Sequence, residues 1–368
     1  MKIGIDGSRL RVGSTGVGRY TEGILGPLDS LLPNAHFVLF VKRDCNVALP
    51  SPRWSIISDK HPVWSRLPTM IWIRYRLGLL MRSKGIDVFW AANTLIPTHT
   101  AAKLPYVTTV LDFRHVIYPK DMPPITRIAH RMWFDSSVRS ADYVVAISEG
   151  TSERMRKITG RSADAVAKPA VSTLPVIVNQ ENANSILAAL GIQQPFLITI
   201  GRSPCKNIAS AIRAVDIMKT RGQLAGFQLV MVGAENWGSH KNLNISAGMR
   251  NWIKPVGRVD DITLAVLYSR SEALLFPSFY EGFGMPVFEA RAIGCRVVAT
   301  DSPELREAGG DDATYVQPTP EAIAAGLEMA LSRDKPSPSP SLGHDWADAA
   351  RVMANLLQSA FVKANDFN

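Results

Sequence analysis

The sequence predicts an α/β protein with two domains, each built on a parallel sheet with helices on both faces. The chain has 368 residues, which is too many for one ordinary core, and 46% of them are hydrophobic, as in globular proteins. Short apolar runs alternate with longer helical patterns, and this alternation is typical of parallel sheets. It restarts near Phe196, after an irregular stretch at 161–184, so we place the domain boundary within that stretch.

The individual elements follow from the same alternation. The chain opens on a predicted strand at 1–6, and a Pro- and Ser-rich run at 335–341 predicts a loop because repeated Pro ends a helix. The domains therefore span 1–173 and 174–343, and a helical pattern at 345–361 dominates the C-terminal segment 344–368. The other predicted strands are 38–41, 88–90, 106–111 and 143–147 in the first domain and 196–200, 227–232, 273–276 and 296–300 in the second.

Composition narrows the class of protein. Three scattered cysteines without paired spacing argue against a disulfide framework or a zinc site and favour a reducing compartment. The N-terminus shows no signal-peptide pattern, and no apolar run approaches the ~20 residues of a spanning helix, so we expect a cytoplasmic protein. The net charge of +9 suits nucleic acid, anionic lipid or phosphorylated ligands. Because the chain carries no nucleic-acid recognition motif, we expect no nucleic-acid partner.

A turn follows the first predicted strand of each domain. In the first domain, Gly16 and Gly18 either let the backbone approach an anion at a helix start or form a tight turn without a ligand. In the second domain, Arg202 and Lys206 follow strand 196–200, at the place where open parallel sheets bind ligands. Arg grips phosphate oxygens through two hydrogen bonds and Lys adds a point charge. The alternative is a pair of solvated surface cations.

The most specific pattern lies at 276–290 and reads FPSFYEGFGMPVFEA. It begins at the end of a predicted strand, so Glu281 lies at a carboxyl end and Glu289 follows about two helical turns later. One carboxylate suits sugar hydroxyls and the other suits a ribose. Gly282 and Gly284 would leave backbone N–H groups available to phosphates or hydroxyls.

On these residues the sequence resembles the family 4 glycosyltransferases of the GT-B fold, whose E-x7-E motif matches EGFGMPVFE at 281–289. The likeness extends to GIDGSRL, GVGRYT, GRSPCKN, VGRVDDITLAVLYSRSEALLFPSFYEGFG and the region 346–350, and so covers most of the chain. It implies two Rossmann-like domains facing each other across a cleft. The first would bind the acceptor and the second the nucleotide sugar, and the last helix would pack back on the first domain.

The resemblance also implies residue roles. Arg202 and Lys206 would bind the donor diphosphate and stabilise the leaving group. Glu281 would hydrogen-bond hydroxyls of the donor sugar, and Glu289 would hold the ribose. Further donor contacts would come from Gly16 and Gly18, whose loop closes over the diphosphate, and from the backbone of Phe283, Gly284 and Met285.

One position departs from the family. Members often carry His-Asp at the end of a strand of the first domain, where this chain reads Leu111-Asp112, so the histidine is missing. Asp112 either orients a sugar or acceptor hydroxyl or caps a turn. The sequence contains no D-x-D and no H-E-x-x-H, and its histidines are dispersed. We therefore expect no metal and no cofactor, with Arg202 and Lys206 supplying the positive charge at the diphosphate.

A basic segment at 61–85 contains five cations, three aromatic residues and no acidic residue. It suits docking on a membrane surface, or alternatively a buried helix whose cations are solvated. A shorter run at 127–133, with Arg127, His130, Arg131 and Trp133, has the same character. An acceptor on a polyprenyl-diphosphate carrier would explain both, so we expect a peripheral protein on the inner face of the cytoplasmic membrane.

These observations predict a retaining, metal-independent transfer of a hexosyl unit from a nucleoside-diphosphate sugar to a lipid-linked saccharide in surface polysaccharide synthesis. The resemblance to mannosyltransferases favours GDP-mannose as the donor, which is an argument from analogy. Two alternatives stay open. One is another GT-B enzyme, such as a nucleotide-sugar epimerase or a synthase of a soluble disaccharide. The other is a non-catalytic scaffold that kept the fold.

Overall fold

The structure of the protein is a computed structural model that describes residues 1–10, 16–43, 45, 47–98, 100, 104–171, 180–201, 203–233, 246–339 and 345–366. The chain divides into two compact units. Unit 1 comprises Met1–Ala170 together with His344–Asn368, and unit 2 comprises Val171–Gly343. The boundary that the sequence analysis placed between residues 173 and 174 lies outside the described residues.

Unit 1 contains a seven-stranded sheet with the order β3-β2-β1-β4-β5-β6-β7, in which every neighbouring pair is parallel. The chain builds outward from β1 in one direction and then restarts beside it at β4. This reversal is the switch point of the sheet, where open α/β sheets bind ligands at the carboxyl ends of their strands. The strands are β1 (Lys2–Asp6), β2 (His36–Val41), β3 (Trp54–Ser58), β4 (Val88–Ala91), β5 (Tyr106–Val110), β6 (Tyr143–Ala146) and β7 (Ala165–Val166).

Helices cover this sheet, and the last one comes from the C-terminal segment. Its Trp346 ring meets Tyr20 edge-on with centroids 5.9 Å apart. A Cβ at Gly23 would lie 2.4 Å from the Trp346 ring, so only glycine admits the indole there. The helices are α1 (Gly16–Leu31), α2 (Thr69–Ile71), α3 (Gly78–Arg82), α4 (Arg114–Ile117), α5 (Pro124–Ser140) and α6 (Glu149–Thr159), with a π-helix at Trp72–Leu77 and the closing helix at Trp346–Asp366.

Unit 2 contains a six-stranded sheet with the order β10-β9-β8-β11-β12-β13, again parallel throughout. Its switch point lies between β8 and β11. The strands are β8 (Phe196–Ile200), β9 (Gln228–Val232), β10 (Ile253–Gly257), β11 (Leu274–Phe276), β12 (Val297–Thr300) and β13 (Thr314–Val316). The helices are α7 (Gln180–Ala189), α8 (Ile208–Thr220), α9 (Asp261–Arg270), α10 (Met285–Ala292), α11 (Pro303–Gly309) and α12 (Pro320–Leu331), so that the helix Trp346–Asp366 of unit 1 is α13.

The prediction of two Rossmann-like, parallel-sheet domains is confirmed. All nine predicted strands are present, and the closing helix extends five residues beyond its predicted end, to 366 rather than 361. The four strands that the sequence analysis did not name are β3, β7, β10 and β13, which are the edge strands of the two sheets.

Candidate functional site

The chain folds back sharply after β8, which brings Lys206 over the end of that strand. Gly201 adopts φ 141°, and a Cβ there would lie 2.4 Å from Cγ of Lys206. Glycine is therefore required for the lysine stem to cross the turn. A single 3-10 turn at Pro204–Lys206 leads into Asn207, whose φ of 53° ends the turn and starts α8. The side-chain amide of Asn207 donates to the Pro318 carbonyl at 2.8 Å, which holds this backbone conformation in place.

The loop that follows β11 is bonded directly to this turn. The Phe279 N–H donates to the Cys205 carbonyl at 2.8 Å, and the Ser278 hydroxyl donates to the same carbonyl at 3.2 Å. Cys205 in turn donates its thiol to the Tyr280 carbonyl at 3.4 Å. Because both segments leave neighbouring strands at the switch point, these bonds fix Glu281 next to Lys206.

Lys206 and Glu281 form an ion pair, with 2.5 Å between Nζ and Oε1. Only 18% of the lysine side chain and 9% of the glutamate side chain are exposed. The ammonium also lies 4.9 Å from the centre of the Phe276 ring, in the range of a cation–π contact. Charges with so little solvent around them act strongly on a nearby ligand, and both are held in place before any ligand arrives.

The rest of the E-x7-E motif forms the start of α10. Gly284 stands before the first helical residue with φ 105°, and a Cβ there would lie 2.5 Å from a Leu305 methyl group. Glu289 lies one turn into α10 and is 5% exposed, and its Oε2 accepts a hydrogen bond from the Tyr268 hydroxyl at 3.2 Å. The ring of Phe283 is buried, so only its backbone is in a position to contact a ligand.

The other predicted site residues are distributed differently. Arg202 lies outside the described residues. Gly16 and Gly18 lie in the first turn of α1 in unit 1, the former exposed and the latter buried. Asp112 follows β5, and its Oδ1 accepts a hydrogen bond from the Arg114 N–H at 2.9 Å, which is a turn of the kind that the sequence analysis gave as one alternative.

Two further polar groups of unit 2 were not predicted. The hydroxyl oxygens of Ser203 and Thr300 are buried and have no hydrogen-bond partner among the described residues. Ser203 lies in the turn that carries Lys206, and Thr300 ends β12 beside β11. Only the position of Ser203 within GRSPCKN signalled it, since nothing in the sequence around Thr300 distinguishes it from an ordinary strand end.

A metal site and a membrane-spanning helix are both absent from the described ranges. No three or more His, Cys, Asp or Glu side chains lie together in a way that would hold a metal ion. Nor does that part of the chain include a helix long and apolar enough to cross a bilayer.

Comparison with solved structures defines the class of the protein. The whole chain superposes on 98% of the sucrose-phosphate synthase of Thermosynechococcus elongatus with a TM-score of 0.65 and 16% identity. It also superposes on 99% of WaaG, a glycosyltransferase involved in lipopolysaccharide biosynthesis, with a TM-score of 0.64 and 15% identity. At these identities the likeness concerns the fold, which is GT-B.

Sequence comparison assigns the family. The profile of the family described as Glycosyl transferases group 1 matches residues 194–333, which include the whole Lys206–Glu281 site. The O-antigen chain mannosyltransferase RfbU of Salmonella typhimurium is 26% identical over 261 residues, or 70% of this chain and 69% of that protein. The second domain therefore carries a glycosyl transferases group 1 domain, and the protein is a glycosyltransferase.

Proposed function

We propose that the protein is a retaining, metal-independent glycosyltransferase of the family 4 type. It would move a mannosyl unit from GDP-mannose to a lipid-linked saccharide in the synthesis of a surface polysaccharide. The observation that carries the proposal is the buried ion pair between Lys206 and Glu281 at the switch point of the second sheet. The name of the Salmonella relative, an O-antigen chain mannosyltransferase, supports the choice of sugar and pathway.

The chemistry follows from where charge develops. When the bond between the anomeric carbon and the diphosphate oxygen breaks, negative charge accumulates on the departing nucleoside diphosphate. The Lys206 ammonium is already fixed beside Glu281 and the Phe276 ring, so it stabilises that charge without reorganising. In this scheme Arg202 adds a second cation at the diphosphate.

The glutamates would orient the donor. Glu281 is an acceptor for sugar hydroxyls, and its contact with Lys206 links the sugar position to the diphosphate position. Glu289, which Tyr268 already positions, would accept from the ribose hydroxyls. The backbone of Phe283, Gly284 and Met285 would line the donor, Gly16 and Gly18 would approach the diphosphate, and Asp112 would orient an acceptor hydroxyl.

A thermal-shift panel tests the donor side. GDP, UDP, dTDP and ADP, each with and without its sugars, are added to the full chain in the presence and absence of EDTA. A ligand that binds only the native state stabilises it, by about 2.7 kcal/mol at a concentration 100 times Kd, and so raises the melting temperature. We expect GDP and GDP-mannose to raise the melting temperature, and by the same amount with and without EDTA. Stabilisation by a different nucleotide would mean that the donor carries that base. Loss of the stabilisation in EDTA would refute metal independence, and no response to any nucleotide would refute the proposed function.

For the membrane part of the proposal, the structure separates the buried side of segment 61–85 from its exposed side. Within segment 61–85, Trp72, Ile73 and Leu77 are fully buried, and Arg76 is paired with Asp59 at 3.1 Å. Part of the segment is therefore core, as one of the two alternatives expected. Its exposed side includes Arg66, Tyr75, Leu79, Arg82 and Lys84.

Helix α5 continues this exposed side. The Trp133 ring meets Tyr75 edge-on with centroids 5.6 Å apart. The α5 outer face, defined as Ile125, Ile128 and Met132, is 56–61% exposed although all three side chains are apolar. Together with the exposed cations these residues have the character of a surface that enters the headgroup region of an anionic bilayer.

Flotation with vesicles tests this surface. We expect the protein to float with phosphatidylglycerol-containing vesicles, less so at high salt because surface charge is screened. Ile128→Asp combined with Met132→Asp should abolish flotation. Val362→Asp, at an equally exposed position on α13, is the control and should leave it unchanged. Flotation of the double variant at the wild-type level would refute this docking surface.

A further inference from the structure

The switch point of the first sheet holds polar side chains that have no assigned role. Asp6 is the last residue of β1, and Asn93 follows β4, the strand that restarts beside β1. Both are buried, with 2% and 8% of their surfaces exposed. The position corresponds to that of Lys206 and Glu281 in the second sheet, because carboxyl ends at a switch point are where open α/β sheets bind ligands.

Asp6 is only half satisfied within the part of the chain that the structure describes. Its Oδ1 accepts a hydrogen bond from the Ser8 N–H at 2.9 Å, whereas its Oδ2 is buried without a hydrogen-bond partner there. Burial raises the pKa of Asp6, opposed by hydrogen bonds from Ser8 and by the charge of Arg9. A buried carboxyl oxygen without a partner costs free energy, so the fold alone gives no reason for an aspartate here.

Asn93 shows the same pattern on the neighbouring strand. Its side-chain Nδ2 is buried and has no acceptor among the described residues. The next residue, Thr94, adopts φ 65°, which is strained for a β-branched residue. The Thr94 hydroxyl donates to the Thr109 carbonyl at 2.8 Å, and the Thr94 carbonyl accepts from Thr108 at 2.8 Å. The strain is therefore imposed by the sheet, and it sets the position of Asn93.

The third member comes from α5. The Ser137 hydroxyl accepts a hydrogen bond from the Ile96 N–H at 3.2 Å, so α5 lies over the loop that carries Asn93. His130 lies two turns earlier in this helix, and its Nδ1 is buried without a hydrogen-bond partner in the described ranges. Burial, the stacked His115 ring at 5.1 Å and Arg9 together lower the pKa of His130 to about 3. The positive charge of Arg9, three residues after Asp6, is thus among the causes of the pKa shifts of both Asp6 and His130.

We propose that Asp6, Asn93 and His130 form a saccharide site that binds hydroxyl groups of the acceptor sugar. The inference rests on the proposed function, because it assigns the acceptor side of that reaction. The three side chains offer different and complementary groups. The carboxylate accepts, the amide donates, and a neutral imidazole accepts at one nitrogen and donates at the other. A pyranoside hydroxyl both donates and accepts, so this mixed set matches a neutral sugar.

A second buried aspartate in the same unit shows what a purely structural carboxylate looks like. Asp59 is 4% exposed, and both of its oxygens are satisfied. Trp72 donates to Oδ2 at 2.8 Å, and Arg76 donates to both oxygens at 3.1 Å. Despite burial, these bonds hold the pKa of Asp59 below its usual value. Asp59 therefore serves as the matched control for Asp6.

The test compares Asp6→Asn, Asn93→Ala and Asp59→Asn in the full chain at pH 7. At Asp6 the amide is cheaper to bury than the carboxylate, so D6N should melt about 2–4 °C above wild type. D59N breaks an ion pair and should melt below it. Transfer to n-octyl α-mannoside should fall about 10–100-fold in acceptor kcat/KM for D6N and N93A, as expected when a buried hydrogen bond to a charged or amide group is lost. Donor hydrolysis without acceptor should be unchanged.

The outcomes separate this inference from the proposed function. A D6N protein that melts at or below wild type overturns the saccharide site whatever acceptor is used, and so does wild-type acceptor kcat/KM in D6N and N93A. If no nucleotide stabilises the wild type, the proposed function fails, and the melting temperatures of D6N and D59N still report on the two aspartates. Equal losses of transfer and donor hydrolysis would place these residues on the donor side instead.

Discussion

The switch points of the two sheets differ in how their polar groups are satisfied. In the second sheet, Lys206 and Glu281 pair with each other at 2.5 Å. In the first sheet, Asp6 and Asn93 each keep one buried polar atom without a partner among the described residues. Under the two proposals, the switch points prepare a ligand site in two ways. The charged pair is complete before a ligand arrives, whereas the incomplete set of hydrogen bonds would be completed by the ligand itself.

The largest effect that would test this comparison concerns Lys206. Lys206→Met keeps the stem over Phe276 but removes the charge that faces the diphosphate, so we expect kcat to fall about 10²–10³-fold. Lys219→Met is the control, because Lys219 also packs on an aromatic ring, that of Trp252 at 5.5 Å, but at the other end of α8. Steady-state transfer assays on both proteins decide the matter. Similar activity of K206M and K219M would mean that the ion pair is only structural.

Glu281 should have the next largest effect. Glu281→Gln keeps the shape of the side chain and removes its charge, and we expect transfer to fall about 10–100-fold, as for a hydrogen bond to a charged group. Glu272→Gln is the matched control. Glu272 precedes β11 at its amino end and pairs with Arg296 at 3.1 Å. Its loss should lower the melting temperature without changing transfer, and a loss of transfer as large in E272Q as in E281Q would contradict a specific role for Glu281.

Substitution of Asp112 should have the smallest effect. Asn preserves the turn in which Oδ1 accepts from the Arg114 N–H. Asp112→Asn should therefore change the free energy of unfolding by less than about 0.5 kcal/mol, as measured by thermal melting. Loss of the second carboxylate oxygen should lower acceptor kcat/KM about tenfold. Asp142→Asn, at the opposite end of β5 where it accepts from the Tyr106 N–H at 2.9 Å, is the control. Unchanged transfer in D112N would leave Asp112 with the turn alone.

The central strands were predictable and the edge strands were not. The inner strands β2, β4 and β11 are buried along almost their whole length, so each reads as a nearly continuous apolar run. Strands β3 and β10 lie at edges and are mostly half-exposed, so their sequences lack that run. Segment 61–85 raised a similar difficulty. Its composition favoured a membrane surface over a buried helix, and only packing separated the core side from the exposed side.

The two proposed sites also differed in how far the sequence predicted their residues. Residues 201–206 and 281–289 each form one short motif, so the sequence by itself predicted that Lys206, Glu281 and Glu289 belong to a ligand site. It also determined the fold class, because hydrophobic periodicity is a local property of the chain. Only the tertiary structure showed that Asp6, Asn93 and His130 each keep a buried polar atom without a partner among the described residues. Whether a buried polar atom has a partner depends on residues distant in sequence, and no local pattern records it.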